Sequence, residues 1–349
     1  LAQFLADAQN AEKVPDLLQR CLSYPDPPGV RWDKAVTQAY CRYSLDPAIQ
    51  PEEVARLIQS GQADQLDRRL AEALQQQLSE PGAQALLDRT YLINFGDATE
   101  ALRALVDAWK RQRPASPYAL AASGTVYLSM AQQARGAAMA AQTEQIQFDA
   151  MHRLLRQARA DLDQAVALQP KLTAAYAAMI YVAMLDGDLA YAIKAARQAL
   201  TVDPANYTVY SRMVLLAQPK WGGSVTRMAR IIAKAQQHEQ ENPLLELLRS
   251  ERSGGEDYVS DCLCDRAQEY HQIYAGLFAQ PAPSRMFSNA GWGAAHRHAL
   301  DAAAIYRSEF LRFTPNSDEA GQVRESRVFN LAAIGATDWA VSEGNAVVA

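Results

Sequence analysis

The chain has 349 residues, 49% of them hydrophobic, enough apolar material for two ordinary domains or one elongated repeat array and too much for a disordered chain. Its net charge of −5, with no Lys/Arg run interleaved with aromatics, lacks the electrostatic footprint of a nucleic-acid binder. No stretch approaches the ~18 consecutive apolar residues of a membrane span, so the chain reads as soluble.

The sequence opens on Leu1 and not on Met, so an upstream segment removed from the chain is expected, and a signal peptide or lipoprotein leader would fit that position. Residues 1–112 read as an N-terminal helical region. Leu1, Phe4, Leu5 and Ala8 share one face, continued by Leu17, Leu18, Cys21 and Leu22 into the turn Tyr24-Pro25-Asp26-Pro27-Pro28-Gly29, where a helix must stop. Trp32, Val36, Ala39, Tyr40 and Tyr43 mark the next helix. Pro51 suits a first helical turn, ahead of Val54, Leu57 and Ile58. Leu66, Leu70, Ala73, Leu74 and Leu78 keep helical spacing up to Pro81, and Leu86, Leu87 and Ile93 follow. Asp97, with Glu100 three residues on, is expected to cap a helix carrying Leu102, Leu105, Val106 and Trp109.

From Pro117 to about residue 243 the pattern becomes periodic. Ala158, Ala165 and Pro170 recur 34 residues later as Ala192, Ala199 and Pro204, and Tyr176, Met179 and Ala183 recur as Tyr210, Met213 and Ala217. A period of this length means a helix pair stacked on a copy of itself. The clearest pair is Thr173 to Leu185 and Leu189 to Val202, joined by the tight turn Asp186-Gly187-Asp188. An Ala- and Gln-rich insertion, 137–147, interrupts the preceding pair. With Tyr176 near the start of a first helix, Ala192 and Ala199 in a second and Pro204 after it, the segment resembles the tetratricopeptide family. It departs from that pattern at Ile180, where the family has a small residue, and at Ala183, where it commonly has Tyr. The third unit carries Pro219-Lys220-Trp221-Gly222-Gly223-Ser224 between helices Tyr207 to Leu216 and Ser224 to Gln237. That loop is similar to one in an uncharacterised bacterial family of tetratricopeptide-like proteins with envelope and secretion-associated members.

Beyond Pro243, Leu244 to Leu248 lead into the break Ser253-Gly254-Gly255. Leu263, Ala267, Tyr270, Tyr274 and Leu277 mark another helix, and Ala299 to Phe313 and Val323 to Ile334 complete a C-terminal cap, 244–349. The expected fold is therefore all-α: tetratricopeptide-like antiparallel helix pairs forming a short α-solenoid, with N- and C-terminal helical regions.

For chemistry, the Trp221-Gly222-Gly223-Ser224 loop has two readings. Glycines before a helix permit positive φ, and freed amides at a helix N-terminus can hold an anion. Otherwise Trp221 anchors the loop and Ser224 is a plain cap. His296 and His298 are two apart, as are Cys262 and Cys264, and such pairs diverge on a helix; a zinc site from the cysteines with His271 needs a later helix start. No metal and no cofactor is expected. Neither a phosphate loop, nor His-Glu-x-x-His, nor a nucleophile elbow is present.

Stacked pairs of this kind expose a concave row of first-helix side chains, here Ala177, Tyr181 and Met184 followed by Ser211, Leu215 and Gln218. The resemblance implies a non-catalytic protein-binding scaffold of the bacterial envelope, with a secreted toxin or an envelope component as partner. An immunity-type inhibitor and an envelope assembly adaptor both fit; a hydrolase of cell-wall or lipid substrates is the alternative. The other reading of the row is intramolecular core. Cys21 and Cys41 lie on consecutive helices joined by a Pro-rich turn, so they are either a disulfide or two separate buried thiols. The disulfide would favour a periplasmic or envelope location over a cytoplasmic one.

Overall fold

The computed structural model describes residues 1–138, 140–254, 276–317 and 319–348. The fold is all-α, with eighteen α-helices and no strand among the described residues. Cα proximity divides it into two units, one of residues 46–216 and one of residues 1–45 with 217–349. The joints expected at 112–117 and at 243 are interior to these units, and the division runs through the third expected repeat pair.

The second unit opens with α1 (Ala2–Glu12), α2 (Leu17–Ser23) and α3 (Lys34–Leu45). A disulfide joins Cys21 of α2 to Cys41 of α3 across the Pro-rich turn, and both cysteines are fully buried. The same unit resumes with α13 (Val225–Gln236), α14 (Leu248–Gly254), α15 (Ser284–His296), α16 (Leu300–Phe313), α17 (Ala320–Ala333) and α18 (Thr337–Val348). Phe4, Ala8, Tyr24, Ala304, Leu331 and Trp339 form one apolar cluster that ties the chain's beginning to its end. Beside it Arg327 is wholly buried, and burial of that kind demands compensating charge. Its Nη1 donates to Glu12 Oε1 at 2.7 Å and its Nε to Glu343 Oε2 at 2.9 Å. These two carboxylates hold the guanidinium charged, with its pKa raised against the opposing effect of burial.

The unit of residues 46–216 contains α4 (Pro51–Gln59), α5 (Ala63–Ser79), α6 (Leu86–Phe95), α7 (Glu100–Gln112), α8 (Pro117–Arg135), α9 (Gln145–Leu168), α10 (Thr173–Asp186), α11 (Leu189–Val202) and α12 (Tyr207–Leu216). Local chemistry sets these ends. Pro51 and Pro117 occupy first-turn positions where a missing N–H costs nothing. Gly187 takes a left-handed conformation to end α10, and the Asp188 side chain accepts from Tyr191 N to start α11. The cap of α7 differs from expectation: it is Thr99, whose hydroxyl accepts from Leu102 N, while Asp97 accepts from its neighbour Ala98 N. Asp97 lies two residues ahead of the cap position, out of line with the first-turn amides.

Helices α8 and α9 pack as one antiparallel pair and α10 and α11 as the next, with α12 lying against α10. Ala158 and Ala192, the residues related by the 34-residue period, are both buried. Ile180, the departure from a small residue, is completely buried as well. At Gly124 a β-carbon would stand 2.5 Å from Leu162 Cγ and 3.0 Å from the Ala158 carbonyl oxygen, so the absence of a side chain allows α8 to approach α9.

Candidate functional site

Four helices of the 46–216 unit, α6, α8, α10 and α12, line a groove of about 560 Å³ counted with its open mouth. Its floor is small, from Ala174, Ala177 and Ala178 on α10, and its walls carry Tyr91, Leu92 and Leu128. At one side the Tyr181 hydroxyl accepts from Gln132 Nε2 at 2.7 Å. The Arg212 guanidinium lies 4.5 Å from the centre of the Tyr181 ring, a cation stacked on an aromatic face. Arg212 makes no hydrogen bond or ion pair with any described residue, so its N–H donors remain unspent.

Under the groove runs a polar network that joins four helices. Asp88 of α6 is buried, accepting from Thr173 Oγ1 and from Asn206 Nδ2, each at 2.7 Å. Gln77 of α5 donates to Thr173 Oγ1 at 2.9 Å and accepts from the Leu87 and Asp88 amides. Burial pushes the Asp88 carboxyl up to about 6, although the bonds from Thr173 and Asn206 act the other way. This network pins the starts of α10 and α12 to α6 and so sets the spacing of the groove walls.

Of the row expected from the sequence, Ala177 and Tyr181 line the groove. Met184 is buried and not exposed, while Ser211 and Leu215 are half-buried and outside the lining. On α12 the groove-facing residues are Thr208 and Arg212, three positions back, which is about 60° of helix rotation. Gln218 belongs to the other unit and is buried there. The spacing along α12 was readable from periodicity; the rotational phase depends on how its N-terminus is held. Asn206 holds it, capping Val209 N with its side-chain oxygen while donating to Asp88 118 residues away. Only the cap has a local signal in the sequence.

In the Trp221 loop, Gly222 is left-handed with φ 78°. Gly223 serves a different need, since a β-carbon there would sit 2.0 Å from the Ala217 carbonyl oxygen. The amides of Trp221, Gly222 and Gly223 are spent on the carbonyls of Gln218 and Pro219, and Ser224 accepts from Arg227 N as the cap of α13. The amides of residues 221–223 are therefore already engaged, and the Trp221 indole N–H is buried without a partner. No group of three or more metal-ligating side chains occurs among the described residues. Cys262, Cys264 and His271, with most of the helix expected around them, lie outside the described residues.

Residues 51–188 match the family model described as a domain of unknown function (DUF4034). The matched stretch supplies α6, α8 and α10 of the groove, with α12 beyond it. No curated protein matches the chain. No helix among the described residues is long and apolar enough to cross a membrane.

Proposed function

We propose that this protein is a non-catalytic binding scaffold, and that the groove between α6, α8, α10 and α12 receives a segment of another protein. The observation that carries the reading is the composition of the groove: an alanine floor that leaves room for a ligand, apolar walls, and an unpaired arginine already oriented by Tyr181. A guanidinium stacked in this way loses little freedom on binding, which is why arginine and tyrosine recur at the centres of protein interfaces. In this reading the helix pairs are tetratricopeptide-like and the groove is their concave face. A periplasmic or envelope location is supported by the disulfide between Cys21 and Cys41, a bond that persists in oxidising compartments. The concrete roles proposed are an immunity-type inhibitor of a secreted toxin or an envelope assembly adaptor, and a cognate toxin gene beside this one would favour the first.

A hydrolase of cell-wall or lipid substrates working at this groove would have to use Asp88, the one carboxylate in its lining, and both of its oxygens are engaged by Thr173 and Asn206. The lining holds no histidine or cysteine to serve as base or nucleophile. The deciding experiment places a photo-crosslinking residue at position 92 in the native host, identifies the captured protein, and repeats binding with purified components. Arg212→Glu combined with Leu92→Asp is expected to abolish that binding with helical content and Tm nearly unchanged, since both side chains stand at the groove. Undiminished binding by the double variant would rule the groove out.

A further inference from the structure

A second cavity, of about 610 Å³ counted with its open mouth, lies in the unit of residues 1–45 and 217–349, alongside the disulfide. It is lined by the turn after α2, the first turns of α3, Cys41 and Arg312 of α16. Most of its lining side chains are polar, and several have nothing to bond to. Arg312 is 4% exposed, its Nε donates to the Cys21 carbonyl at 2.9 Å, and its Nη1 stands 3.5 Å from Glu309 Oε1. Its Nη2 has no partner. The Thr37 side chain is buried, and neither its hydroxyl nor the side chains of Lys34 and Gln38 bond to any described residue. These donors face the solvent of the cavity, where an occupant that accepts from them can take the place of water.

The carboxylates nearby define what kind of acceptor. Glu309 carries no hydrogen bond on its Oε1, and burial pushes its carboxyl up to about 7 against the opposing charge of Arg312, with the field of Asp26 adding to the rise. At pH 7 it is charged only about half the time, so its 3.5 Å ion pair with Arg312 answers that guanidinium only in part. Asp26 sits on the cavity wall as an acceptor without a donor, and its negative charge disfavours a dianion. The geometry points to a binding site for a small monocarboxylate bearing a hydroxyl or ammonium donor beside the carboxylate, held by Arg312, Lys34 and Thr37 with Asp26 receiving the donor. This site is independent of the groove in residues 46–216, and its failure would leave the scaffold reading intact.

The test uses ligand-observed saturation-transfer NMR on the full chain at constant ionic strength, with L-lactate as probe and propionate, which lacks the hydroxyl, as comparison. L-Lactate is expected to bind saturably, propionate more weakly, and the Lys34→Gln/Thr37→Val variant roughly ten-fold more weakly than the wild type. Thr37→Val preserves shape, and an unchanged Tm establishes that the variant is folded; if it is not, Lys34→Gln alone is read, since that side chain is exposed. The proposal is overturned by no saturable transfer, by equal binding of propionate, by an unaffected folded variant, or by inorganic phosphate displacing lactate as well as excess lactate does.

Discussion

At the scale of single residues, the most consequential groups are polar ones placed where water cannot reach them. Glu309 is 1% exposed with one oxygen unbonded, and it takes up a proton near pH 7 where an ordinary glutamate does so at 4.5. Between those values the native state retains a proton that the unfolded chain has released, so stability falls as pH rises from about 4.5 to about 7 and is flat above it. Asp88, raised from 3.8 to about 6, adds a slope of the same sign at lower pH. Glu309→Gln is expected to remove the upper part of the slope, worth on the order of 3 kcal/mol in the wild type. Urea unfolding from pH 4 to 8 reads this directly, and a variant whose stability still falls between pH 6 and 7 would contradict the assignment. Arg327 is the opposite case, a buried charge fully answered by Glu12 and Glu343.

At the scale of elements, helix pairing depends on the absence of bulk at defined points. Alanine at 124 would improve the intrinsic helix propensity of α8 by about 1 kcal/mol over glycine. The β-carbon has no room, with Leu162 and the Ala158 carbonyl in its path. Gly124→Ala is therefore expected to destabilise residues 46–216 by about 1–3 kcal/mol in spite of the better propensity. A rise in Tm on that substitution would show that α8 and α9 are not in close contact there. The periodic alanines of α9 and α11 were legible as packing positions because period and residue size agree. Gly124 carries no such local mark, since its partner, Leu162, is 38 residues away in sequence.

For the whole molecule, residues 46–216 are contiguous and carry their own core from Ile49 to Val209, whereas the other unit draws its core from both ends of the chain. A fragment of residues 46–216 is expected to fold alone with a cooperative thermal transition, and residues 217–349 are expected not to without residues 1–45, which supply Phe4, Ala8, Glu12 and Tyr24. Circular dichroism melts of the two fragments check both statements, and a cooperative melt from 217–349 alone would refute the second. Within the composite unit the Cys21–Cys41 bond closes a short loop, so its reduction acts on one segment of an already interleaved core.

The amino-acid sequence by itself determined the all-α class, most helix limits, the 34-residue pairing and the small residues of the second helices. Each of these follows from interactions within a turn or between adjacent helices, where period, proline and glycine leave a local record. Tertiary structure alone decided which residues line the groove, that Met184 is core while Arg212 is free, and that residues 1–45 complete a unit begun at 217. Those outcomes rest on contacts such as Asp88 with Asn206 and Arg327 with Glu12, in which the partners are 118 and 315 residues apart and neither partner's local sequence marks the other. The rotation of α12 about its own axis, and with it the chemistry of the groove, is set by one such bond.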